Sequence, residues 1–487
     1  MKAAKKLVLV MLLTGLFIGC EDFGSVNVDP NNPSQVRTEL LLTNAQRSMS
    51  DKVGAVMGTI WVQYITETQY TEAQEYRSVN ADFNGWYTGP LQDLQTIIDL
   101  NSNAETAADV LSGGSNANQI AVARILKAYF LQMITDRWGM VPYSEALKGR
   151  ENLQPAYDLQ EDIYTDIITQ LKEAADQIDL GSAAVNGDIL FEGDMQKWIE
   201  FANSLRARAA LRLSETTGAS LTLAENEFAD AISDGVITED VLYPYLASAD
   251  NENPWYTRFR TRTDYAISET MADYMKGISD SRILVFANPA PNYSDNDGVV
   301  EFNEIIGMPF AENAGDTPNA EISFPGAAIG AGGPGVGIQD AGLPIITVAE
   351  MELAQAEAVE RGWIAGVAED HYYAGIEASW NQWGVYEATD FANYIAQAGV
   401  AYDTNNWEEL VGSQKWIALF PNGYEAWSEW RRTGFPVLTP NPWGVLNQIP
   451  LRFTYPSSEV SNNTENYNAA VSTQGPDEPL TPVWWDQ

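Results

Sequence analysis

WEELVGSQKWIALF, then PNG, then YEAWSEWRRTGFP: residues Trp407 to Pro436 carry the clearest local structure in the chain. Leu410, Val411, Gln414, Ile417 and Ala418 recur at helical spacing, and Pro421-Asn422-Gly423 ends that helix with turn chemistry. A second short helix follows, with Trp427 and Arg431 one turn apart, as are Ala426 and Trp430. Gly434 supplies a left-handed C-cap, and Pro436 forbids continuation. Arginines beside tryptophans allow guanidinium planes to lie on indole faces. The stretch reads as a structural clasp that does not touch a ligand.

Composition narrows the function. The chain has 487 residues, enough to bury a large core, and 45% hydrophobic content makes it a folded protein rather than a disordered one. A formal charge of −40, from 67 acids against 27 bases, repels phosphate and excludes nucleic acid as a partner. There is one cysteine, Cys20, and one histidine, His371, so no intrachain disulfide can form and zinc sites built from Cys and His clusters are excluded. Any His-dependent hydrolytic triad would have to use His371.

The N-terminus reads as an export signal over residues 1–19: Lys2, Lys5 and Lys6 precede an apolar run from Leu7 to Ile18, too short to span a bilayer as a mature helix. Gly19-Cys20 resembles a bacterial lipobox, although Phe17 stands where Leu is usual, which would make Cys20 the acylated first residue. Glu21 and Asp22 resemble the surface-export signal of such lipoproteins. Residues 20–38, dense in turn chemistry from Asn27 to Ser34, form anchor and tether. The rest, 39–487, reads as a single domain, with a helical scaffold over 39–243 and 347–436, an irregular, Gly- and Pro-rich region over 244–346, and loops over 437–487.

Within the scaffold, Phe83–Leu111 and Ile120–Trp138 show apolar residues three and four apart, the second stopping at Gly139. Asp158 with Glu161, Thr222 with Glu225, and Thr347 with Glu350 have the spacing of capping boxes. In the closing tail, Trp484 and Trp485 are expected to pack back on the body, with contact to a partner as the alternative.

Several motifs together carry a resemblance. KWIALF (415–420), GYEAW (423–427) and WRRTGFP (430–436), followed by Pro450-Leu451-Arg452-Phe453, Tyr455-Pro456, Glu459 and Asn466, resemble the C-terminal signature of the SusD/RagB family. DRWGMVPYSEAL (136–147), EAVERGW (357–363) and Asp29-Pro30-Asn31 resemble further family motifs. The resemblance implies a mostly α fold with a tetratricopeptide-like helical-repeat scaffold and a long irregular region. It also implies an outer-membrane, surface-exposed lipoprotein that captures oligosaccharides, or peptides, and passes them to a SusC-like TonB-dependent transporter without chemistry on the ligand.

Sites are harder to read. Gly330 to Gly335 matches a dinucleotide fingerprint by letter, but no strand feeds it and no helix follows. Asp295, Asp297 and Glu304 fall at positions three, five and twelve of a calcium loop around Gly298, with Tyr293 where the first ligand should be; an acidic surface turn is the competing reading. Nothing else asks for a cofactor. No nucleophile-elbow or metalloprotease motif is present, so no catalytic residue is named, and an anchored glycoside hydrolase stands only as the competing class. The candidate ligand contacts are Tyr70, Tyr76 and Trp86 in an aromatic and amide-rich stretch, and Trp255, Tyr256 and Arg258 at the mouth of the irregular region. Aromatic faces suit the C–H faces of sugars, with core packing as the alternative for each.

Overall fold

The computed structural model describes residues 36–486 apart from Ser78, Asn296, Ala311, Asn313, Ala314 and 333–335. Cys20, the export segment and the tether up to residue 35 therefore lie outside the described residues. The scaffold is built from α1 (Thr38–Arg47), α2 (Val56–Trp61), α3 (Gln92–Ser102), α4 (Asn116–Trp138), α5 (Gln160–Gln177), α6 (Met195–Arg212) and α7 (Ala219–Asp234). After the irregular region come α8 (Val348–Glu360), α9 (Ala368–Gln382), α10 (Trp407–Ala418), α11 (Gly423–Thr433), α12 (Ser457–Asn462) and α13 (Thr464–Gln474). Consecutive helices pack on one another from α3 through α7, and α8 packs on α9. This is the neighbour-on-neighbour order of a tetratricopeptide-like scaffold.

Helix α4 lies at the centre. Ser115 caps it by accepting from Asn118 N–H, and Gly139, at φ 78°, ends it. Its buried residues cover every face, from Ala121 and Ile125 to Asp136, Arg137 and Trp138. It is a core helix enclosed by α3, α5 and α6 rather than an amphipathic surface helix.

Strands are few: β1 (Ile65–Glu67), β2 (Val141–Pro142), β3 (Tyr157–Asp158), β4 (Val241–Tyr243), β5 (Tyr265–Ile267) and β6 (Leu343–Ile346). They pair antiparallel as β1–β5, β2–β3 and β4–β6.

The Trp407–Pro436 stretch folds as α10, a turn and α11, with Gly434 left-handed at φ 76°. It is a buried clasp. Arg431 lies 3.7 Å above the Trp427 ring, and Trp427 meets Trp61 of α2 with centroids 4.8 Å apart. Arg432 pairs with Glu357 of α8 and, at 2.7 Å, with Glu429, while Arg212 of α6 pairs with Glu425 and Glu429. Burial raises the Glu357 carboxyl, but Arg432, Lys415 and Arg361 outweigh it and hold the group at about 2. Helices α2 and α11 meet glycine to glycine: a Cβ on Gly58 would lie 2.5 Å from the Gly423 carbonyl carbon.

Some expectations fail for physical reasons. Asp158 does not cap α5, whose N-cap is Leu159; its carboxylate instead accepts from the N–H groups of Tyr143 and Ser144. Thr222 sits inside α7 and donates to Gly218 O, so only Thr347 caps as expected, accepting from Glu350 N–H. The Phe83–Leu111 helix is interrupted at Gly89-Pro90, where Gly89 leaves helical backbone and Pro90 has no N–H to donate. Residues 437–487 are not all loop. They contain α12 and α13, and α13 buries only Ala470 completely, which leaves almost no apolar periodicity to read. Trp485 is fully buried and its Nε1 donates to Asp136, so the tail packs on the body.

Candidate ligand-binding site

The strand pair β1–β5 sets two loops side by side. After β1 the chain turns sharply, and Glu67 ties the turn down by accepting from the N–H groups of Ala73 and Gln74 at 3.0 and 3.1 Å. Gln74 returns the contact, accepting from Thr66 Oγ1 and Glu67 N–H. Tyr70 stands at the tip in left-handed backbone, φ 60°, with 62% of its surface exposed. Arg262, just before β5, places its guanidinium 5.1 Å from the Tyr70 ring and is held by Asp264 at 2.7 Å. Upstream, Tyr256 carries Arg260 over its ring at 5.4 Å.

A third loop, residues 437–446, locks onto the first. Asn441 donates from its backbone to the Tyr76 hydroxyl and from Nδ2 to Gln74 O, while Val445 N–H donates to Glu75 O. From the scaffold, Gln63 Nε2 donates to Thr439 O. This loop presents Trp443, 68% exposed, beside the Tyr70 turn. Two large aromatic side chains thus project from loops that are hydrogen-bonded to each other, with Arg77, Glu75, Arg262 and Asp264 as polar neighbours. An exposed ring can stack against the C–H face of a sugar, and the ionic groups can bond its hydroxyls.

The candidate residues therefore separate. Tyr70 lies on this surface, and Tyr256 is partly exposed beneath the Arg260 guanidinium. Tyr76, expected to be exposed, is fully buried; burial pushes its hydroxyl up to about 12 and it braces the 437–446 loop. Trp255 is likewise fully buried, at the start of the short helix Pro254–Phe259 that Asn253 caps. Arg258 Nη1 donates to Gly54 O, and its guanidinium lies 5.1 Å from the Trp255 ring, which makes it a brace between helix ends. Trp86 is buried against Phe130 of α4, away from the loops. Polarity of sequence neighbours misled for Tyr76 because its burial comes from a loop far along the chain. Trp443 was missed; its signal was a tryptophan inside a Pro-, Asn- and Gly-rich run, Pro440-Asn441-Pro442-Trp443-Gly444.

Glu304 is buried, whereas Asp295 and Asp297 are exposed and accept hydrogen bonds from their own loop. Glu304 accepts from the N–H groups of Glu301 and Asp295, which hold its carboxyl below the usual range, and Asp297 accepts from Val299 N–H. Among the described residues no group of three or more His, Cys, Asp or Glu side chains gathers as a metal site. Part of the glycine run lies outside the described residues, and Gly330 caps a single 3-10 turn rather than opening a helix. His371 bonds Glu352 at 2.7 Å, with no hydroxyl or thiol nucleophile bonded to its ring among the described residues.

Two open clefts lie elsewhere. One of about 760 Å³ runs along α4 and α5 past Arg124, Lys127 and Asp166; another of about 640 Å³ is bordered by Arg47, Asp51, Glu252 and Arg258. No helix among the described residues is long and apolar enough to cross a membrane.

Comparison with known proteins agrees with this architecture. The SusD-like family model described as "Starch-binding associating with outer membrane" matches residues 30–456. A chitin-binding protein of known structure is 27% identical, with a TM-score of 0.78 over 92% of this chain and 100% of its own. A chitin-binding SusD homolog from Flavobacterium johnsoniae is 24% identical (TM-score 0.74, 92% and 98% covered), and a SusD homolog from Bacteroides fragilis is 23% identical (TM-score 0.77, 93% and 100% covered). These last two carry the fold alone. No curated protein matches the sequence.

Proposed function

The chain belongs to the SusD-like family of nutrient-binding proteins, and from that premise we propose that it is a surface lipoprotein that captures oligosaccharides for uptake. In this reading acyl chains at Cys20 hold it on the outer membrane. A SusC-like TonB-dependent transporter receives the ligand, which leaves unchanged. The observation that carries the proposal is the aromatic pair Tyr70 and Trp443, exposed on two loops that are hydrogen-bonded to each other and to the scaffold. Apolar rings of that size are left in water at a cost unless something covers them.

The chitin-binding relative at 27% identity makes β-linked N-acetylglucosamine oligomers the first glycans to test. Their acetamido methyl groups and ring C–H faces suit indole and phenol stacking, and their hydroxyls suit Arg77, Arg262 and Asp264. Calorimetric titration of the chain with a glycan panel should give binding without turnover. Tyr70→Ala and Trp443→Ala should each weaken affinity about tenfold, the equivalent of roughly 1.4 kcal/mol. Unchanged affinity in both folded variants would move the site elsewhere; binding of peptides in place of glycans would change the ligand class; product release would make the protein a hydrolase.

A further inference from the structure

We propose that the protein holds a single small monovalent anion, of chloride type, in a small pocket between α4, α6 and the first turn of α11. The pocket is about 20 Å³, room for a guest the size of a water, and its lining includes Asp136, Arg137, Arg208, Asn422, Glu425 and Ser428. Arg137 is its defining feature. The residue is 3% exposed, and its Nε, Nη1 and Nη2 are all buried without a hydrogen-bond partner among the described residues. The guanidinium is pinned flat, 3.6 Å from the Tyr424 ring and 5.0 Å from the Trp86 ring, so its N–H edge is free to face a guest. A buried guanidinium with five unmet donors is costly unless an acceptor reaches it.

Two carboxylates, Asp136 and Glu425, share the pocket wall, and each has an arginine beside it. Asp136 accepts from the Tyr164 hydroxyl and from Trp485 Nε1, with Arg212 Nε 3.6 Å from its other oxygen. Glu425 pairs with Arg212 and lies 3.8 Å from Arg208, which itself bonds Glu350 at 2.6 and 2.7 Å. Lys52 adds positive charge on the Trp86 side, 4.7 Å from that ring, and Arg137 is among the charges that lower its pKa, after burial.

The rest of the wall offers donors. Asn422 caps α11 by accepting from Glu425 N–H with Oδ1, which leaves Nδ2 without a hydrogen-bond partner among the described residues. Ser428 Oγ accepts from Arg431 Nη2 and keeps its own proton. The N-terminus of α11, eleven residues long, points its dipole's positive end at the same space. An unpaired guanidinium, an amide, a hydroxyl and a helix N-terminus line one small pocket, a set that suits a compact anion.

Thermal unfolding of the full chain at constant pH and ionic strength, with sodium chloride exchanged stepwise for sodium gluconate, reads the site. Tm should climb with chloride and then level off, as one-site linkage requires. Asn422→Asp keeps the helix cap but replaces the amide donor with a negative charge, so it should abolish the chloride dependence while the protein stays folded. Crystals grown in sodium bromide should give one anomalous peak beside Arg137. Superimposable Tm values in the two salts, an unchanged chloride response in Asn422→Asp, or a water with no anomalous signal at that position would each overturn the proposal.

Discussion

Glu67 shows how much one side chain can do for the loop that carries Tyr70. It is 6% exposed, and burial raises its carboxyl from 4.5 to about 7; the N–H groups of Gln74 and Ala73 pull it down, and Glu72 and Glu75 push it up again. The folded pKa therefore lies above the unfolded one. Below about pH 4.5 the proton is bound in both states and the contribution to stability is full. Between there and about pH 7 only the folded chain keeps the proton, so stability falls as pH rises, by on the order of 3 kcal/mol, and is level above it. Glu67→Gln should remove that slope, and urea titrations of both proteins at pH 5 and pH 8 would measure it; parallel profiles would show that Glu67 does not titrate in this window. None of this was legible in the sequence. Glu67 looked like one acid among 67, and its burial arises from pairing with β5 about two hundred residues later. Tyr76 and Trp255 were opaque for the same reason, whereas Gly434 was readable because a left-handed C-cap is decided by its own backbone.

Among the elements, the contact between α2 and α11 tolerates no extra atom. A methyl group on Gly58 would sit 2.5–2.7 Å from the backbone of Gly423 and Tyr424, and one on Gly423 would sit 2.1 Å from Thr59 N. Gly58→Ala should therefore cost about 1–3 kcal/mol, seen as a lower urea midpoint at unchanged slope. A wild-type midpoint would mean that the helices can slide apart freely. Helix α5 buries one apolar face, the pattern a sequence shows best, and α10 was legible from its apolar spacing although it is buried nearly all round. The end of α4 was legible too, at Gly139, although the helix is buried all round. The α12–α13 pair was invisible because polar surface helices give no periodic signal. The capping boxes divided two to one against the sequence reading, since Asp158 found better donors across the turn at Tyr143 and Ser144.

Across the whole molecule, the C-terminal tail packs into the middle of the scaffold. Trp485 is fully buried, donates to Asp136 of α4, and lies 5.4 Å from the Arg212 guanidinium and 4.6 Å from that of Arg431. Trp485→Ala should cost about 3–5 kcal/mol, the range for deleting a core aromatic, with the loss measured by chemical unfolding. A loss below 1 kcal/mol would mean that the tail merely rests on the surface. The helical content and the clasp could be read in advance from local spacing, and the tetratricopeptide-like scaffold from the family resemblance; the candidate ligand surface could not, because it is assembled from loops near residues 70, 260 and 443.

That assembly has a kinetic consequence. Tyr64 donates to Trp416 O, Asn441 to the Tyr76 hydroxyl and Gln63 to Thr439 O, across separations of 352, 365 and 376 residues. Closing the first loop of that size costs about 5 kcal/mol of chain entropy, but the others then close almost without further cost. Contacts between residues this far apart in sequence slow folding. The aromatic loops and the clasp are therefore gained and lost in one event: a half-folded molecule would display neither Tyr70 nor Trp443 in its working position.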